Sequence, residues 1–496
     1  MLFPSRETFA ELARTGNLIP VYREIVADLD TPVSAYLKLT EGGGVHSFLL
    51  ESVEKGQKFS RYSFLGSDPG LVFTMRGKEV VIEEEGKRRT FTTDADPLAE
   101  LQKLMAPYRP VAVGDLPLFY GGAVGYLAYE AATHFEPTVP RAKQDDLGIP
   151  DAYFLITDTL VIFDHVERRM KLVANVRVEG DPDAAYDAAV AKIDRMTRQL
   201  QRPVAHPLLV PAAGAADLAP AANMTQDEYL AMTARMQEFI RAGDIFQIVP
   251  SQRFEVPFTG HPADLYRSLR LINPSPYMFC LQLQDLALVG SSPEVHVRSE
   301  EGKITIRPIA GTRPRRDDPA EDEAMARELL ADPKERAEHV MLVDLARNDV
   351  GRVCDYQSVQ VTDFMTIERY SHVMHIVSNV EGNLRPGQSS YDVMRATFPA
   401  GTLTGAPKVR AMQIIADEEP TCRGSYGGAV CYFGFSGNLD SCIAIRTALL
   451  RDGKAYVQAG GGLVADSTPL GEYQESVNKA KAGMKALALA RSVGMR

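Results

Sequence analysis

The sequence predicts an α+β fold, a large sandwich of antiparallel β-sheets flanked by helices. Hairpin-like segments dominate both halves of the chain, amphipathic helices lie between them, and the strand–helix–strand alternation typical of parallel sheets is missing. With 496 residues, 45% of them apolar, the chain is long enough to bury an extensive core.

Hairpins are predicted where apolar-rich runs flank a short polar turn. Such a turn favours glycine or a polar residue, which tolerates a left-handed backbone. The predicted hairpins span residues 76–93 with a turn at Glu85-Gly86, 159–176 with a turn near Glu167-Arg168, 295–309, and 442–464 with a turn at Asp452-Gly453.

Helices are predicted where apolar residues recur at helical spacing behind a capping residue. The clearest begins at a Thr225 cap, and another covers residues 334–352. The last helix takes Thr468 as its N-cap and Pro469 at its first position. Further helical stretches occur at the start of the chain and around residues 182–200.

An Ala- and Pro-rich segment, residues 202–223, interrupts these patterns. It carries little charge and has no sustained period, so we interpret it as a linker. The predicted organisation is an N-terminal region of mixed α and β structure, residues 1–201, then the linker, then a C-terminal region, residues 224–496.

Charge and cysteine content argue against several classes of protein. The formal net charge is −11, and no cluster of Lys and Arg suggests a nucleic-acid groove. The five cysteines are odd in number and never spaced C-x-x-C, which favours neither a disulfide framework nor a zinc ribbon. No apolar run approaches the ~18 residues that span a bilayer, and the N-terminus lacks a signal-like apolar stretch. We expect a cytoplasmic protein that binds neither nucleic acid nor membrane.

Two glutamate pairs share the spacing E-x-x-E. Glu335 and Glu338 fall on one face of the helix predicted over residues 334–352, and Glu472 and Glu475 fall in the first turn of the last helix. If the two helices converge, their carboxylates surround one point that a hard cation such as Mg²⁺ neutralises. Taken alone, each pair is also explained by a solvated helix face, and the second pair by the preference for negative charge at a helix N-terminus.

Arg446 and the run Gly460-Gly461-Gly462 lie on either side of the last hairpin turn. Counting from Asp452-Gly453, Arg446 falls about opposite Ala459 on the partner strand. A guanidinium beside three residues without side chains suits a carboxylate or phosphate ligand. A close backbone crossing that needs glycine, with Arg446 merely exposed, explains the same pattern.

Three further segments carry polar residues in a less decisive pattern. His375 faces the same side of a strand as two valines, as either a core residue or an acid–base group. Segment 401–410, GTLTGAPKVR, lacks the spacing and the GK[ST] of a phosphate loop, so Thr402 either contacts a substrate or caps a helix. Segment 308–316, PIAGTRPRR, reads as a solvated basic loop unless a ligand orders it.

Eight sequence blocks occur one after another in the C-terminal half of the chain, and the match that they carry spans roughly residues 225–490. They read SPE, PIAGTRPR, KERAEHVMLVDLARNDVGR, YSHVMHIVSNVEG, GTLTGAPKVRAM, GSYGGAVCYF, CIAIRTALL and QAGGGLVADSTPLGEYQES. In this order they resemble the chorismate-utilising enzymes, which implies that residues 224–496 are the catalytic region. The N-terminal half, residues 1–201, resembles the family's regulatory-type N-terminal region more loosely, through LLES (49–52) and RYSFLG (61–66). The resemblance implies the same sandwich fold and a chorismate-binding C-terminal region.

The resemblance also implies roles for residues at matching positions. Glu338 and Glu475 would hold Mg²⁺, which binds the ring carboxylate of chorismate, and Glu335 would protonate the departing C4 hydroxyl. Glu472 is expected to support these ligands. The elimination of pyruvate would involve His375, Thr402 and Glu294. Substrate contacts would come from Gly311, Thr312, Tyr426, Arg446, Gly460, Gly461 and Gly462, with the arginine on the enolpyruvyl carboxylate.

Two positions favour the anthranilate-forming branch of the family. Gln247 stands where water-activating relatives carry a lysine, so ammonia is the expected nucleophile. Ala310 stands where aminodeoxychorismate-forming relatives carry a nucleophilic lysine, and an alanine cannot form that covalent intermediate. The resemblance thus implies a lyase of tryptophan biosynthesis that aminates C2 and releases pyruvate. The alternatives are an aminodeoxychorismate-forming enzyme of folate biosynthesis and a catalytically silent regulatory relative.

The resemblance implies partners as well. None of the five cysteines lies in the G-x-C-x-G elbow of a glutaminase, so we expect ammonia from a separate glutamine amidotransferase subunit in a hetero-oligomer. Ser52, with Pro276, Tyr277 and Met278, matches the family's L-tryptophan-binding elements and implies feedback inhibition. Alternatively, these residues only join the N-terminal region to the rest of the chain.

Overall fold

Hairpin turns and helix caps divide the chain close to the predicted positions. The computed structural model describes residues 1–41, 45–52, 61–210, 218–370 and 373–495. The strands are β1 (Leu2–Phe3), β2 (Leu18–Val26), β3 (His46–Glu51), β4 (Tyr62–Ser67), β5 (Leu71–Arg76), β6 (Glu79–Glu84), β7 (Lys87–Thr92), β8 (Gly122–Leu127), β9 (Ala152–Thr157), β10 (Thr159–Asp164), β11 (Arg169–Arg177), β12 (Ala221–Ala222), β13 (Gln247–Ile248), β14 (Ser251–Pro257), β15 (Tyr277–Leu283), β16 (Leu286–Ser292), β17 (Val295–Glu300), β18 (Lys303–Ile306), β19 (Ile309–Pro314), β20 (Gln360–Arg369), β21 (Val373–Asn383), β22 (Gly405–Ala406), β23 (Ala429–Gly434), β24 (Leu439–Ile443), β25 (Thr447–Arg451) and β26 (Lys454–Gly460).

The helices lie between these strands, and the predicted ones are confirmed. They are α1 (Arg6–Leu12), α2 (Pro32–Thr40), α3 (Pro97–Met105), α4 (Ala132–Phe135), α5 (Pro182–Leu200), α6 (Gln226–Arg241), α7 (Pro262–Ile272), α8 (Pro319–Ala331), α9 (Pro333–Gly351), α10 (Ser390–Thr397), α11 (Lys408–Glu418) and α12 (Pro469–Arg491). No helix in the described part of the chain is both long and apolar enough to cross a membrane.

The predicted hairpin turns are present and have the backbone that their sequences favour. Glu85-Gly86 has φ values of 51° and 75°, and Asp452-Gly453 has 49° and 72°. Two positive φ values in succession define the turn whose twist matches that of the flanking strands. The predicted turn near Glu167-Arg168 joins β10 to β11, and Arg168 has φ 52°.

Two 12-stranded sheets form the sandwich, which confirms the predicted fold class. The first has the order β1-β2-β11-β10-β4-β3-β15-β16-β25-β26-β14-β12, and the second β19-β21-β18-β17-β24-β23-β8-β9-β5-β6-β7, with β20 paired to β21. Both sheets contain strands from before and after residues 202–223. Residues 211–217 of that predicted linker lie outside the described residues, and the division of function at this boundary stays a prediction.

Three apolar layers hold the sheets and helices together. The middle layer joins the sheets face to face, with Phe279 and Leu281 of the first sheet packed on Tyr126 and Leu155 of the second. One outer layer packs α5, α7 and α12 on the first sheet, and the other packs α9 and α11 on the second. Each fully buried large apolar side chain contributes roughly 1.5–3 kcal/mol. The helices that carry the glutamate pairs are therefore fixed on opposite sides of the sandwich edge.

Candidate active site

A cavity of about 800 Å³ opens where α9, α12, the end of β26 and the edge strand β19 meet. Its lining includes nearly all of the residues singled out as catalytic or substrate-binding. They are Glu294, Gly311, Thr312, Glu335, Glu338, His375, Thr402, Tyr426, Arg446, Gly460, Gly462, Glu472 and Glu475. Gly461 lies between two of these positions. The fold thus gathers residues spread over 180 positions of sequence around one space.

The glutamates are placed by the caps of their helices. Asp332 caps α9 by accepting the backbone N–H groups of Lys334 and Glu335. Thr468 caps α12 by accepting that of Gly471, which leaves Glu472 in the first turn. A capping residue that satisfies free N–H groups fixes where a helix begins, and hence the direction of its first side chains.

Three of the four glutamates, Glu338, Glu472 and Glu475, converge on the glycine run. A Cβ on Gly461 would lie 2.4 Å from Oε2 of Glu472 and 3.2 Å from Cδ of Glu475. A Cβ on Gly462 would lie 3.9 Å from Oε1 of Glu338. Three carboxylates therefore stand over two adjacent residues, and the absence of side chains there makes room for them.

This concentration of negative charge is only partly compensated by the protein. Burial raises the pKa of Glu338, and repulsion from Glu335 and Glu475 raises it further. Burial also raises the pKa of Glu472, and Oε2 of that residue is buried and has no hydrogen-bond partner among the described residues. These oxygens fit a hard cation such as Mg²⁺. The described residues do not contain a ready-made cage of three His, Cys, Asp or Glu ligands, so such an ion would need oxygens from water or substrate as well.

Lys479 is a lining residue that the sequence interpretation missed. Its Nζ donates to the carbonyl of Gly460 at 2.9 Å and lies 2.7 Å from Oε1 of Glu475. The spacing of four residues from Glu475 on one helix was the available signal, because such residues share a face. Lys479 thus links a candidate metal ligand to the glycine strand.

Arg446 faces the cavity, but it is not part of a strand as predicted. It precedes β25 with φ 52°, and the ladder to β26 ends at Ala448. Its Nη1 donates to the carbonyl of Lys479 at 2.6 Å, and burial lowers its pKa. The backbone crossing is real as well, since a Cβ on Gly460 would lie 2.2 Å from the carbonyl oxygen of Pro250.

Segment 308–316 is a strand rather than the predicted solvated loop. Its register on β21 shifts between Ala310 and Arg313, and Gly311 there adopts φ 65°. Such a bulge redirects the backbone toward the cavity. Nδ1 of His375 contacts the Gly311 carbonyl at 2.8 Å, and because a carbonyl only accepts, the proton lies on Nδ1. The lone pair is then on Nε2, and burial lowers the pKa of His375, so the ring is held as a neutral base.

Two carboxyl groups of the cavity have contrasting surroundings. Glu335 accepts a hydrogen bond from Nη1 of Arg313 at 3.2 Å. Burial raises the pKa of Glu294 to about 7. Glu294 therefore retains a proton at neutral pH more readily than an ordinary glutamate does.

The two positions that discriminate between branches of the family both line the cavity. Gln247 is 3% exposed, and within the described part of the chain its buried Oε1 has no hydrogen-bond partner. A Cβ on Gly462 would lie 2.6 Å from its Nε2, so the amide stands close to the carboxylate cluster. Ala310 presents only a methyl group to the same space.

A second cavity, of about 90 Å³, lies between the sheets and is lined by Ser52, Pro276, Tyr277 and Met278. The hydroxyl of Tyr277 donates to Asp440 at 2.9 Å. Pro276 lines both cavities, so the two share one wall. The residues matched to tryptophan binding are therefore brought together apart from the catalytic set.

Comparison with known proteins agrees with this geometry. Residues 45–485 match the model of the chorismate binding enzyme family. The chain is 44% identical over 492 residues to anthranilate synthase component 1 of Acetivibrio thermocellus, covering 98% of this chain and 99% of the relative. It is 46% identical over 490 residues to anthranilate synthase component 1 of Pseudomonas aeruginosa, with 98% and 99% covered. The crystal structure of anthranilate synthase component I from Streptococcus pneumoniae superimposes with a TM-score of 0.74 at 34% identity, covering 93% of this chain and 99% of that one.

These matches extend over nearly the whole chain and confirm the resemblance inferred from the eight sequence blocks. The chain belongs to the chorismate binding enzyme family, and it is 44% and 46% identical over nearly its whole length to two proteins named anthranilate synthase component 1.

Proposed function

We propose that this chain converts chorismate and ammonia to anthranilate, pyruvate and water, the reaction of an anthranilate synthase. The observation that carries the proposal is the larger cavity. It combines a carboxylate cluster at the glycine run, a buried guanidinium, a neutral histidine and two discriminating positions, Gln247 and Ala310, that lack the lysines of other branches. The relatives named anthranilate synthase component 1 support the same conclusion.

The glutamate cluster is proposed to hold Mg²⁺ through Glu338 and Glu475, with Glu472 supporting them. Mg²⁺ would neutralise the ring carboxylate of chorismate and fix the ring in place. The raised pKa values of Glu338 and Glu472 and the unpartnered oxygen of Glu472 support this assignment. Arg446, on the same cavity, is proposed to bind the enolpyruvyl carboxylate, because a buried guanidinium forms strong charge-assisted hydrogen bonds.

In the first step, ammonia attacks C2, the ring double bonds shift, and the C4–O bond breaks. A carboxylic acid protonates the departing hydroxyl, which leaves as water. Glu335 is the proposed acid, and Glu294, whose pKa burial raises to about 7, is the second candidate. Comparing Glu335→Gln with Glu294→Gln assigns the acid, because only its loss abolishes formation of the aminated intermediate.

In the second step, a base removes the C2 proton, the C3–O bond breaks, and pyruvate leaves as the ring becomes aromatic. His375 is the proposed base, since its Nδ1–H is fixed on the Gly311 carbonyl and its Nε2 lone pair is available. Thr402 and Glu294 line the same region of the cavity. A His375→Ala variant should therefore accumulate the aminated intermediate.

The chain is proposed to receive ammonia from a separate glutamine amidotransferase subunit. Hydrolysis of glutamine needs a reactive cysteine thiolate, and burial raises the pKa of every cysteine here, Cys280, Cys354, Cys422, Cys431 and Cys442. Buried, protonated thiols are poor nucleophiles. Purified chain is expected to use ammonium directly and glutamine only when the partner is added.

We further propose that L-tryptophan inhibits the enzyme by binding the second cavity. Ser52, Tyr277 and Met278 provide a hydroxyl group, an aromatic ring and an apolar wall in a space the catalytic residues do not enter. Pro276 connects this space to the substrate cavity, so a ligand in one can alter the other. Feedback control by the end product suits a committed biosynthetic step.

The identity of the reaction product tests the proposed function. Chorismate, ammonium sulfate and Mg²⁺ are incubated with the chain, and the products are separated and identified by mass spectrometry. Anthranilate with one equivalent of pyruvate is the expected result. A product that retains the enolpyruvyl group and carries the amino group at C4 rather than C2 would instead identify an aminodeoxychorismate-forming enzyme.

A further inference from the structure

One guanidinium supports three parts of the active-site wall from behind. Arg423 follows α11, and its side chain is 1% exposed. Its Nη1 donates to the carbonyl of Leu403 at 2.7 Å, and its Nη2 to the carbonyl of Val249 at 2.6 Å. Its cation lies 5.6 Å from the ring centroid of Tyr426 and 4.7 Å from that of Tyr129. Leu403, Val249 and Tyr426 line the larger cavity, whereas Arg423 does not reach it.

Glu419, four residues earlier, orients this guanidinium. Its carboxylate accepts from Nε of Arg423 at 2.8 Å and from Nη2 at 2.6 Å, which is bidentate geometry. Oε1 also accepts from the N–H and the hydroxyl of Ser251, each at 2.9 Å. Ser251 in turn accepts from Nε2 of Gln458, at 2.8 Å, and Gln458 lines the cavity. The hydrogen bonds therefore connect the Arg423–Glu419 ion pair, through Ser251, to Gln458 in the cavity wall.

A buried ion pair of this kind is an inefficient way to stabilise a fold. The loss of hydration opposes the attraction between the charges, and well-packed apolar side chains of similar volume often serve as well. Fixed hydrogen-bond directions, by contrast, are something that apolar packing cannot supply. The two carbonyls that Arg423 binds belong to the residue after Thr402 and to the residue two positions after Gln247. Both segments carry proposed contacts of the reaction.

We propose that Arg423 and Glu419 form a positioning pair, which holds Thr402, Tyr426 and the Gln247 segment where the reaction requires them. Arg423 is a positioning residue and not a catalytic one, because it acts through backbone carbonyls and a stacked ring. The inference rests on the proposed function, since that reaction defines the geometry to be held.

The test compares a double variant, Glu419→Leu with Arg423→Met, with a matched control. The control replaces another pair, Asp30→Leu with Lys38→Met, whose side chains are 10% and 12% exposed and lie outside the cavity. Thermal unfolding measures the fold, and loss of chorismate measures turnover, whatever the product. We expect both variants to unfold within a few degrees of the parent. Only the active-site double variant should lose kcat, by about 100-fold, with a smaller change in KM, because displacements of ~1 Å at reacting groups cost that much.

A single variant, Arg423→Lys, keeps the charge but not the fork of donors. It should unfold near the parent temperature and lose kcat by about 10-fold or more. A folded double variant with kcat within about threefold of the parent would overturn the inference. If the double variant does not fold, an Arg423→Lys protein with parental kcat would overturn the inference. If the parent enzyme converts chorismate to another product, the proposed function is wrong, but the comparison of kcat between the variants still tests the positioning pair. If the parent enzyme does not consume chorismate, both the proposed function and the positioning pair are wrong.

Discussion

Adding one methyl group at Gly461 should strongly lower activity without unfolding the protein. The backbone there does not require glycine, since no left-handed φ occurs at this position. A Cβ would, however, lie 2.4 Å from Oε2 of Glu472, which is about 1 Å short of van der Waals contact. The glutamate is the flexible part, so it moves and the fold remains.

The magnitude follows from that displacement. A shift of ~1 Å in a group near the reacting atoms costs about 100-fold in rate, and disturbing the groups that support metal ligands costs roughly 10–100-fold in metal affinity. We therefore expect Gly461→Ala to lower kcat/KM about 100-fold and to raise the Mg²⁺ concentration for half-maximal activity about 10-fold or more. The midpoint of thermal unfolding should change by only a few degrees, since Gly→Ala at a compatible position alters stability by about 1 kcal/mol or less.

Two other glycines provide the controls. Gly351, the last residue of α9, has open space around its Cβ position, so Gly351→Ala should leave activity and Mg²⁺ dependence unchanged. At Gly460 the Cβ would lie 2.2 Å from a backbone carbonyl of Pro250, so Gly460→Ala should lower the free energy of unfolding by about 1–3 kcal/mol. A Gly461→Ala enzyme with parental kcat/KM and Mg²⁺ dependence would refute the reasoning that places the glutamate cluster at the metal.

Three further predictions concern other parts of the two cavities. Arg446→Gln should raise KM for chorismate about 100-fold with little change in unfolding temperature, because the charge-assisted contact with the enolpyruvyl carboxylate is lost. An unchanged KM would show that Arg446 does not bind the substrate. For pH, the Glu294 proton is present below pH about 7 and lost above it. If Glu294 rather than Glu335 is the acid, kcat/KM of the parent should fall above pH about 7 and Glu294→Gln should be inactive at every pH; a descent that an active Glu294→Gln enzyme retains belongs to another group. Ser52→Arg should raise the L-tryptophan concentration for half inhibition about 10-fold or more. The kcat/KM for chorismate should stay parental, because Ser52 lines the second cavity and not the larger one. Parental sensitivity to tryptophan would show that the inhibitor binds elsewhere.

Local patterns in the sequence were enough to predict the elements of the fold. Two-residue turns such as Asp452-Gly453 and caps such as Thr468 act over a few residues, so their effect is readable without the rest of the chain. The order of strands within each sheet was not predictable in this way. It depends on which apolar faces pack together, as when β3 and β15 pair across more than 200 residues of sequence.

The candidate site shows the same limit. The spacing of Glu335 and Glu338 placed both on one helix face, but their approach to Glu475 depends on how α9 and α12 pack at the sandwich edge. The ion pair of Glu335 with Arg313 was missed because residues 308–316 were predicted to be a solvated loop, whereas they contain β19, whose register shifts between Ala310 and Arg313. Arg446 was assigned to a strand because its left-handed backbone leaves no trace in the hydrophobic pattern.

The most direct test of the account is the Mg²⁺ dependence of anthranilate formation in one titration series. Saturating chorismate and ammonium are held constant, Mg²⁺ is varied, and anthranilate fluorescence is recorded for the parent, Glu338→Gln and Glu475→Gln. The account predicts anthranilate from the parent only with Mg²⁺, and from each variant a half-saturating Mg²⁺ concentration at least about 10-fold higher. No anthranilate from the parent at saturating ammonium and Mg²⁺, or formation that is independent of Mg²⁺ and of both glutamates, would contradict it.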